Sequence, residues 1–256
     1  MSSKSIGEVA PYRPLTRCGP EELAIQARIN KPGGGLLFAR KVWRGFKDEA
    51  REHIIELLQD REAYPELHML TMPGVSWTFE KKLLGRRHGD WYKSSATPGS
   101  KFTSIENDRF VYHGAITKFP GIKCRKPPVI QVKPGTPFAE RVIGNEFIEN
   151  FYFGNVDDLM RAATPDQYDA AWLDYTGPMS IERARVIKQF FETSVKRVLA
   201  LTVLKARWNR ETSDSITRAG GHTAWVVKRL PFKLVRDPYE YQDSESPMVQ
   251  YIFTKE

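Results

Sequence analysis

Two carboxylates stand where apolar strands run out into polar turns. Asp174 closes the run Tyr168-Asp169-Ala170-Ala171-Trp172-Leu173 and is followed by Tyr175 and the turn Thr176-Gly177-Pro178. At the carboxyl end of a central strand, Asp174 faces the crevice in which open α/β sheets take ligands, and it can accept a hydrogen bond from an amino or hydroxyl group there. The competing reading is an Asp that caps a turn after a strand. Glu106 closes a second short strand, Lys101 to Glu106, and reads either as an acceptor for paired hydroxyls or as a surface acid. A third strand, Leu67 to Thr71, ends in the turn Met72-Pro73-Gly74. Asp157 and Asp158 follow Gly154-Asn155-Val156, where acids favour the start of a helix and also stand at a strand end. Glu80, on the helix after Gly74, reads as a solvated charge beside Lys81 and Lys82, with a ligand-facing role as the alternative.

Other chemistries have no footing in the chain. There is no G-x-S-x-G elbow and no Walker loop, and Gly33-Gly34-Gly35 is followed by no Lys-Ser or Lys-Thr pair in register. Cys18 and Cys124 are too distant for a CxxC site, and the five histidines form no H-x-x-x-H pair, so no metal and no disulfide scaffold is expected. His68 lies within an apolar strand and reads as a core residue. His113 and His222 lie near loops with no acid assigned to them.

The elements that must position these residues follow from pattern. Residues 1–45 read as an extended arm carrying Pro11, Pro14, Pro20, Pro32 and the triple glycine, with a short helix around Glu21 to Arg28. The second unit is 46–256. Residues 46–60 form a helix with Ile54, Ile55, Leu57 and Leu58 on one broad face. Ser76 is the expected cap of a helix from Trp77 to Leu84, and Ser180 of one running to about Ser194. Val129 to Val132 and Val198 to Leu204 read as strands. Phe232–Tyr241 and Met248–Thr254 are two more, with a linker too short for a crossover, so they form an antiparallel hairpin.

The chain has 256 residues, 41% hydrophobic and 27% charged, enough for a core. No run is long and apolar enough to span a membrane, and the start of the chain lacks a secretory pattern. The expectation is a soluble cytoplasmic protein. Its net charge of +8 is uneven: residues 81–133 carry 12 basic and 3 acidic side chains, and residues 183–233 repeat those numbers. Between them, residues 140–182 carry 2 and 9. Basic surface attracts phosphate backbones, and Trp77, Trp91, Tyr92, Phe102, Trp208 and Trp225 lie among the charges as candidate stacking platforms. The alternative is solvated helix faces and core aromatics. Nucleic acid, RNA or DNA, is the expected partner.

Strand, helix, strand, helix, strand, then a terminal hairpin, is the order of a mainly parallel twisted sheet with crossover helices. In that order the chain resembles the class I S-adenosylmethionine-dependent methyltransferase family, a Rossmann-type α/β fold, over about residues 46–256. The resemblance implies a role for each strand end. Thr71 and Gly74 would lie against the cofactor, S-adenosylmethionine, and Glu106 would bond its ribose. Asp157 would stand near the adenine, and Asp174 with Tyr175 would face the acceptor. The single Gly74 departs from the family's richer glycine turn, and Asp174-Tyr175-Thr176-Gly177 lacks the prolines common where an exocyclic amino group is methylated. The implied activity is methyl transfer to nucleic acid. The alternative is a catalytically inactive protein of this fold that binds nucleic acid or a protein partner.

Overall fold

The computed structural model describes residues 36–89, 99–119, 127–136, 138–144, 146–206, 208–243 and 246–255, with side chains from Lys47 onward. Residues 1–35 of the expected arm, with Cys18, and also Trp91, Tyr92 and Cys124, lie outside the described residues. Residues 36–45, placed in the arm from sequence, instead begin helix α1, Leu36–Leu58. Ala50, Ile54 and Leu58 recur every four residues and are buried, so α1 lies along the sheet by its apolar stripe.

The chain continues through β1 (Leu67–Thr71), α2 (Thr78–His88), β2 (Ser100–Glu106), α3 (Arg109–Thr117), β3 (Val129–Gln131), β4 (Phe138–Ile143) and β5 (Ile148–Gly154). Then come α4 (Val156–Ala162), β6 (Tyr168–Pro178), α5 (Ile181–Ser194), β7 (Val195–Leu204), α6 (Arg210–Arg218), α7 (His222–Arg229), β8 (Lys233–Leu234), β9 (Tyr239–Asp243) and β10 (Ser246–Thr254). The strands form one sheet in the order β3-β4-β5-β2-β1-β6-β7-β10-β8, with β9 also on β10. The central strands β5, β2, β1, β6 and β7 are parallel. β10 runs antiparallel to β7 and pairs with both β9 and β8.

The fold class expected from the order of elements is therefore the one found, a mainly parallel α/β sheet with a C-terminal antiparallel hairpin. The run Phe232–Tyr241 is not one strand, however. It breaks at Arg236-Asp237-Pro238 into β8 and β9, because proline cannot donate to the ladder. At the far edge β4 and β3 add antiparallel strands that the sequence reading did not place as a sheet extension.

Both faces are covered, as a parallel sheet requires. Met69, Ala170, Trp172 and Ala200 meet Ile54, Leu83 and Tyr112 on one side. Leu70, Ala171, Leu173 and Leu201 meet Leu159, Ile187 and Trp225 on the other. Trp77, Phe102 and Trp225 are thus core side chains and do not stack on nucleic acid. Ser76 does not cap α2. The N-cap is Trp77, at φ 52°, with no side-chain cap bond. That left-handed backbone costs about 1–2 kcal/mol. The indole's full burial offsets it, with Nε1 donating to Ala115 O at 2.9 Å and edge contacts to Phe119 and Phe151. Ser180 caps α5 as expected, accepting from Arg183 N.

Candidate active site

Chain order runs outward from β1 to β2 on one side and from β6 to β7 on the other, so the strand order, though not the strand direction, reverses between β1 and β6. The loops leaving the strands diverge there and open a crevice. A cavity of about 400 Å³ occupies it, lined by Met72, Pro73 and Gly74 after β1, Glu106 and Asn107 after β2, and Gly154, Asn155 and Val156 after β5. Asp174, Tyr175, Thr176 and Gly177 line it from β6, Lys47 from α1 and Arg183 from α5. The β6 contribution has a local cause. Asp174 pairs with Thr202, but Pro178 pairs with Leu204, so four residues of β6 answer two of β7 and the surplus bulges out.

Gly74 has a backbone that any residue can adopt, and a Cβ built on it would meet nothing within 4 Å. Nothing in the protein itself demands glycine there; what glycine does is leave the cavity open. Met72 lines the cavity without filling it, and Trp77 and Phe79 are absent from its lining.

Glu106 turns one oxygen back on its own chain. Its Oε1 accepts from Asn107 N and Asp108 N, both at 2.9 Å. Burial, with the negative charges of Asp108 and Asp174, still outweighs these bonds and pushes the carboxyl up to about 7. Asp174 is held by Lys47, whose Nζ lies 3.3 Å from its Oδ2 and 2.9 Å from Asp243 Oδ2. Burial alone would lower the Lys47 pKa, but the two carboxylates overcome it and the ammonium is held above its ordinary range. Asp174 Oδ1 is buried and accepts no hydrogen bond from the described residues.

Gly74, Glu106, Asp174 and Tyr175 therefore come together, while Thr71 and Asp157 do not line the cavity. Thr71 is buried beneath the turn with its hydroxyl 2.7 Å from Ser104 Oγ. Asp157 sits in the first turn of α4, where Asn155 is the cap. Its carboxylate turns away to accept from Tyr175 Oη at 2.7 Å and Arg183 Nε at 3.2 Å. Tyr175 is committed in turn. Its ring lies 4.3 Å from the Arg183 guanidinium, and burial with the Asp157 charge raises its hydroxyl well above the usual range. The hydroxyl braces the wall instead of facing an acceptor.

Sequence reasoning missed Lys47, which lies 127 positions from Asp174 in an ordinary amphipathic helix and carries no local signal. It also misjudged Glu80. That side chain is 1% exposed, not solvated, and its Oε1 is buried without a hydrogen-bond partner among the described residues. Burial raises its pKa against weaker opposition from its own backbone amide, the Thr71 hydroxyl and the charges of Arg51 and Lys81. Among the described residues no cluster of His, Cys, Asp and Glu could hold a metal ion, and no helix is long and apolar enough to cross a membrane.

No protein-family model matches the chain, and no curated protein matches it in sequence. Among solved structures, it is similar to magnesium protoporphyrin IX methyltransferase (ChlM) from Synechocystis PCC 6803 with bound SAH, at 13% identity and a TM-score of 0.49, over 93% of this chain and 96% of that one. It is also similar to N-methyltransferase NodS from Bradyrhizobium japonicum WM9 in complex with S-adenosyl-l-homocysteine, at 11% identity and a TM-score of 0.47, over 82% and 87%. A putative methylase, HI0767 from Haemophilus influenzae, matches at 13% identity and a TM-score of 0.45, over 80% and 87%. Scores below 0.5 leave the fold to be read from strand order and the site from its own residues.

Proposed function

We propose that the protein is an S-adenosylmethionine-dependent methyltransferase acting on nucleic acid. The observation that carries this is the meeting of Gly74, Glu106 and Asp174, from three separate strand ends, around one cavity of about 400 Å³. That volume lies within the range of small-molecule sites. The open space beside Gly74 and the unpartnered Asp174 Oδ1 are features a bound ligand would complete. When bound, the cofactor supplies a methyl group activated by a sulfonium. The chain's own residues do the rest: the Gly74 turn leaves room for close approach, Glu106 accepts from ribose hydroxyls, and Asp174 orients the acceptor. Calorimetric titration with S-adenosylmethionine and S-adenosylhomocysteine tests this reading, and silence with both ligands would end it.

The Glu106 pKa adds a signed expectation. A carboxylate accepts from both hydroxyls, whereas its protonated form does so poorly, and burial places the change near pH 7. Affinity for S-adenosylhomocysteine therefore rises from pH 6 to pH 8, approaching about tenfold per pH unit below the pKa. Glu106→Gln flattens this profile and weakens binding throughout.

Two features support nucleic acid as the acceptor. One is the pair of basic segments, although several of their cations are spent on ion pairs, among them Arg109 with Glu140, Lys196 with Asp169 and Lys205 with Glu240. The other is Phe110, 69% exposed on α3, between Asn107 and Val111, which line the cavity. An exposed aromatic beside a ligand site is a stacking platform for a base. Phe110→Ala should cost about 1–3 kcal/mol of affinity for a single-stranded oligonucleotide by fluorescence anisotropy, with S-adenosylhomocysteine binding unchanged. Retention of RNA or DNA should also fall steeply with salt. One observation favours a second reading, that of a non-catalytic binding protein: Lys47 neutralises Asp174 from within the site. A transfer assay with labelled S-adenosylmethionine and an oligonucleotide separates the two, because only the first reading requires label in the acceptor.

A further inference from the structure

A cluster of cations lies outside the candidate site. Arg185 on α5, Arg218 at the end of α6 and Arg229 at the end of α7 come from helices that pack together, α7 lying against both α5 and α6. Arg229 is held from two sides. Its guanidinium lies 4.2 Å from the centre of the Trp225 ring, and Nη2 donates to Ser215 Oγ at 2.8 Å. Ser215 Oγ also accepts from Trp225 Nε1 at 3.1 Å, so the indole, the hydroxyl and the guanidinium fix one another.

Held there, Arg229 has like charge for neighbours. Burial, then the charges of Arg185 and Arg218, hold it below the ordinary arginine range, and no carboxylate works against them. Neither Arg218 nor Arg229 is ion-paired among the described residues: Arg218 Nε donates to Asp214 O, and Arg229 Nη2 to the serine hydroxyl. Arg185 makes one loose contact, 3.7 Å to Glu182 Oε2, between two exposed side chains. Such a pair is worth little in water. Elsewhere the cations of this protein are answered by acids, as Arg109 is by Glu140 and Lys196 by Asp169. Guanidiniums gathered without matching acids repel one another, and an anion among them relieves that repulsion. Phosphate suits them, because the forked N–H groups of one guanidinium take two of its oxygens at once.

Two observations select the source of that phosphate. Arg185 follows the cavity-lining Arg183 by two residues, about 3 Å along the α5 axis. The cationic face therefore starts beside the crevice and leads away from it over α5 to α6 and α7. Among the described residues, none of the large exposed apolar side chains lies on these helices, so the face has no anchor for a lipid surface. Resting on the nucleic-acid reading above, we propose that Arg185, Arg218 and Arg229 form a docking face for the phosphodiester backbone of the acceptor strand, holding the chain while one nucleotide reaches the cavity. Contacts of this kind position a strand without reading its sequence.

The test uses the full chain and a fluorescein-labelled oligo(dT), with anisotropy read over a range of NaCl concentrations. The triple variant Arg185→Gln, Arg218→Gln, Arg229→Gln should bind more weakly at low salt. Its plot of log affinity against log salt should be shallower by about 2, since each phosphate contact on a single strand contributes about 0.7. Arg229→Lys keeps the charge and should keep the slope. Lys101→Gln removes an exposed charge at the amino end of β2, away from the crevice, and should also keep it. Should the triple variant not fold, Arg218→Gln alone, at an exposed position in the last turn of α6, should lower the slope by about 0.7. A steep wild-type slope retained by the folded triple variant, or by Arg218→Gln in its place, overturns this inference alone. So does a triple variant that binds oligo(dT) as wild type does but loses binding to phosphatidylserine vesicles, which would assign the face to a membrane. If wild type does not bind oligo(dT) at low salt, the nucleic-acid reading falls and takes this inference with it. S-adenosylhomocysteine affinity should be the same in every variant. Silence with that ligand in wild type would end the methyltransferase reading and not the docking face, which the salt slope reads separately.

Discussion

Asp174→Ala should lower methyl transfer by about 10²–10⁴-fold, the range for losing a positioned proton acceptor, while affinity for S-adenosylhomocysteine stays within about threefold. The separation follows from geometry. Asp174 lines the cavity with an unpartnered Oδ1, whereas the proposed ribose contact belongs to Glu106 on another strand. A second readout comes from charge. The Asp174 carboxylate helps to raise the Glu106 pKa, so its removal should move the pH dependence of S-adenosylhomocysteine binding to lower pH. Asp174→Asn should share that displacement because it removes the same charge, and it keeps an acceptor oxygen, so its loss of transfer should be smaller than that of Ala. Equal activity in wild type and Asp174→Ala would remove Asp174 from the chemistry.

The largest stability effect should come from Arg87→Ala. Arg87 is 3% exposed, and its guanidinium ties three pieces of backbone together. Nε donates to Ser100 Oγ at 2.8 Å. Nη1 donates to Leu58 O at 2.7 Å and Asp60 O at 3.3 Å, and Nη2 donates to Tyr64 O. One side chain thus fastens the end of α1, the turn after it and the start of β2. Truncation takes the charged donor from Leu58 O and Tyr64 O, at about 1–3 kcal/mol for each that water does not reach, while Asp60 O keeps Tyr64 N at 3.1 Å and Ser100 Oγ keeps its contact with His88 Nε2 at 2.9 Å. A total near 3 kcal/mol corresponds to a fall in Tm of about 6–12 °C for a chain of this size. Arg87→Lys should recover only part, because an ammonium cannot reproduce the planar fork. A loss below about 1 kcal/mol in chemical denaturation would show that water replaces the guanidinium.

How far the fold was legible depends on where its information is local. β6, Ser180 and α5 were readable because a buried run, a cap and an amphipathic helix follow one another directly. α3 was not, although Asp108 caps it by accepting from Phe110 N and Val111 N. Its nine residues lie in a segment dominated by net charge. α6 is polar nearly all round, with Thr212 and Ile216 buried, so apolar periodicity had little to report. In the site, the strand-end residues Glu106 and Asp174 were legible because a strand's carboxyl end is a place that sequence can mark. The turning away of Asp157, the burial of Glu80 and the reach of Lys47 depend on neighbours far along the chain. A local pattern holds no trace of them.

The tie between Lys47 and Asp243 joins residues 196 positions apart. Other links span nearly the same interval, with Tyr239 Oη donating to Glu49 Oε2 and Gln250 Nε2 to Ala50 O. Helix α1 is therefore made well before its partners on β9 and β10. At about 5–20 residues per second the wait is about 10–40 s. Throughout it the apolar stripe of α1 has only part of its eventual cover, and the cation beside Asp174 lacks its second counter-charge. The site reaches its final electrostatic state only when β9 arrives, so a nascent chain that stops short of Asp243 carries the crevice but not its charge balance.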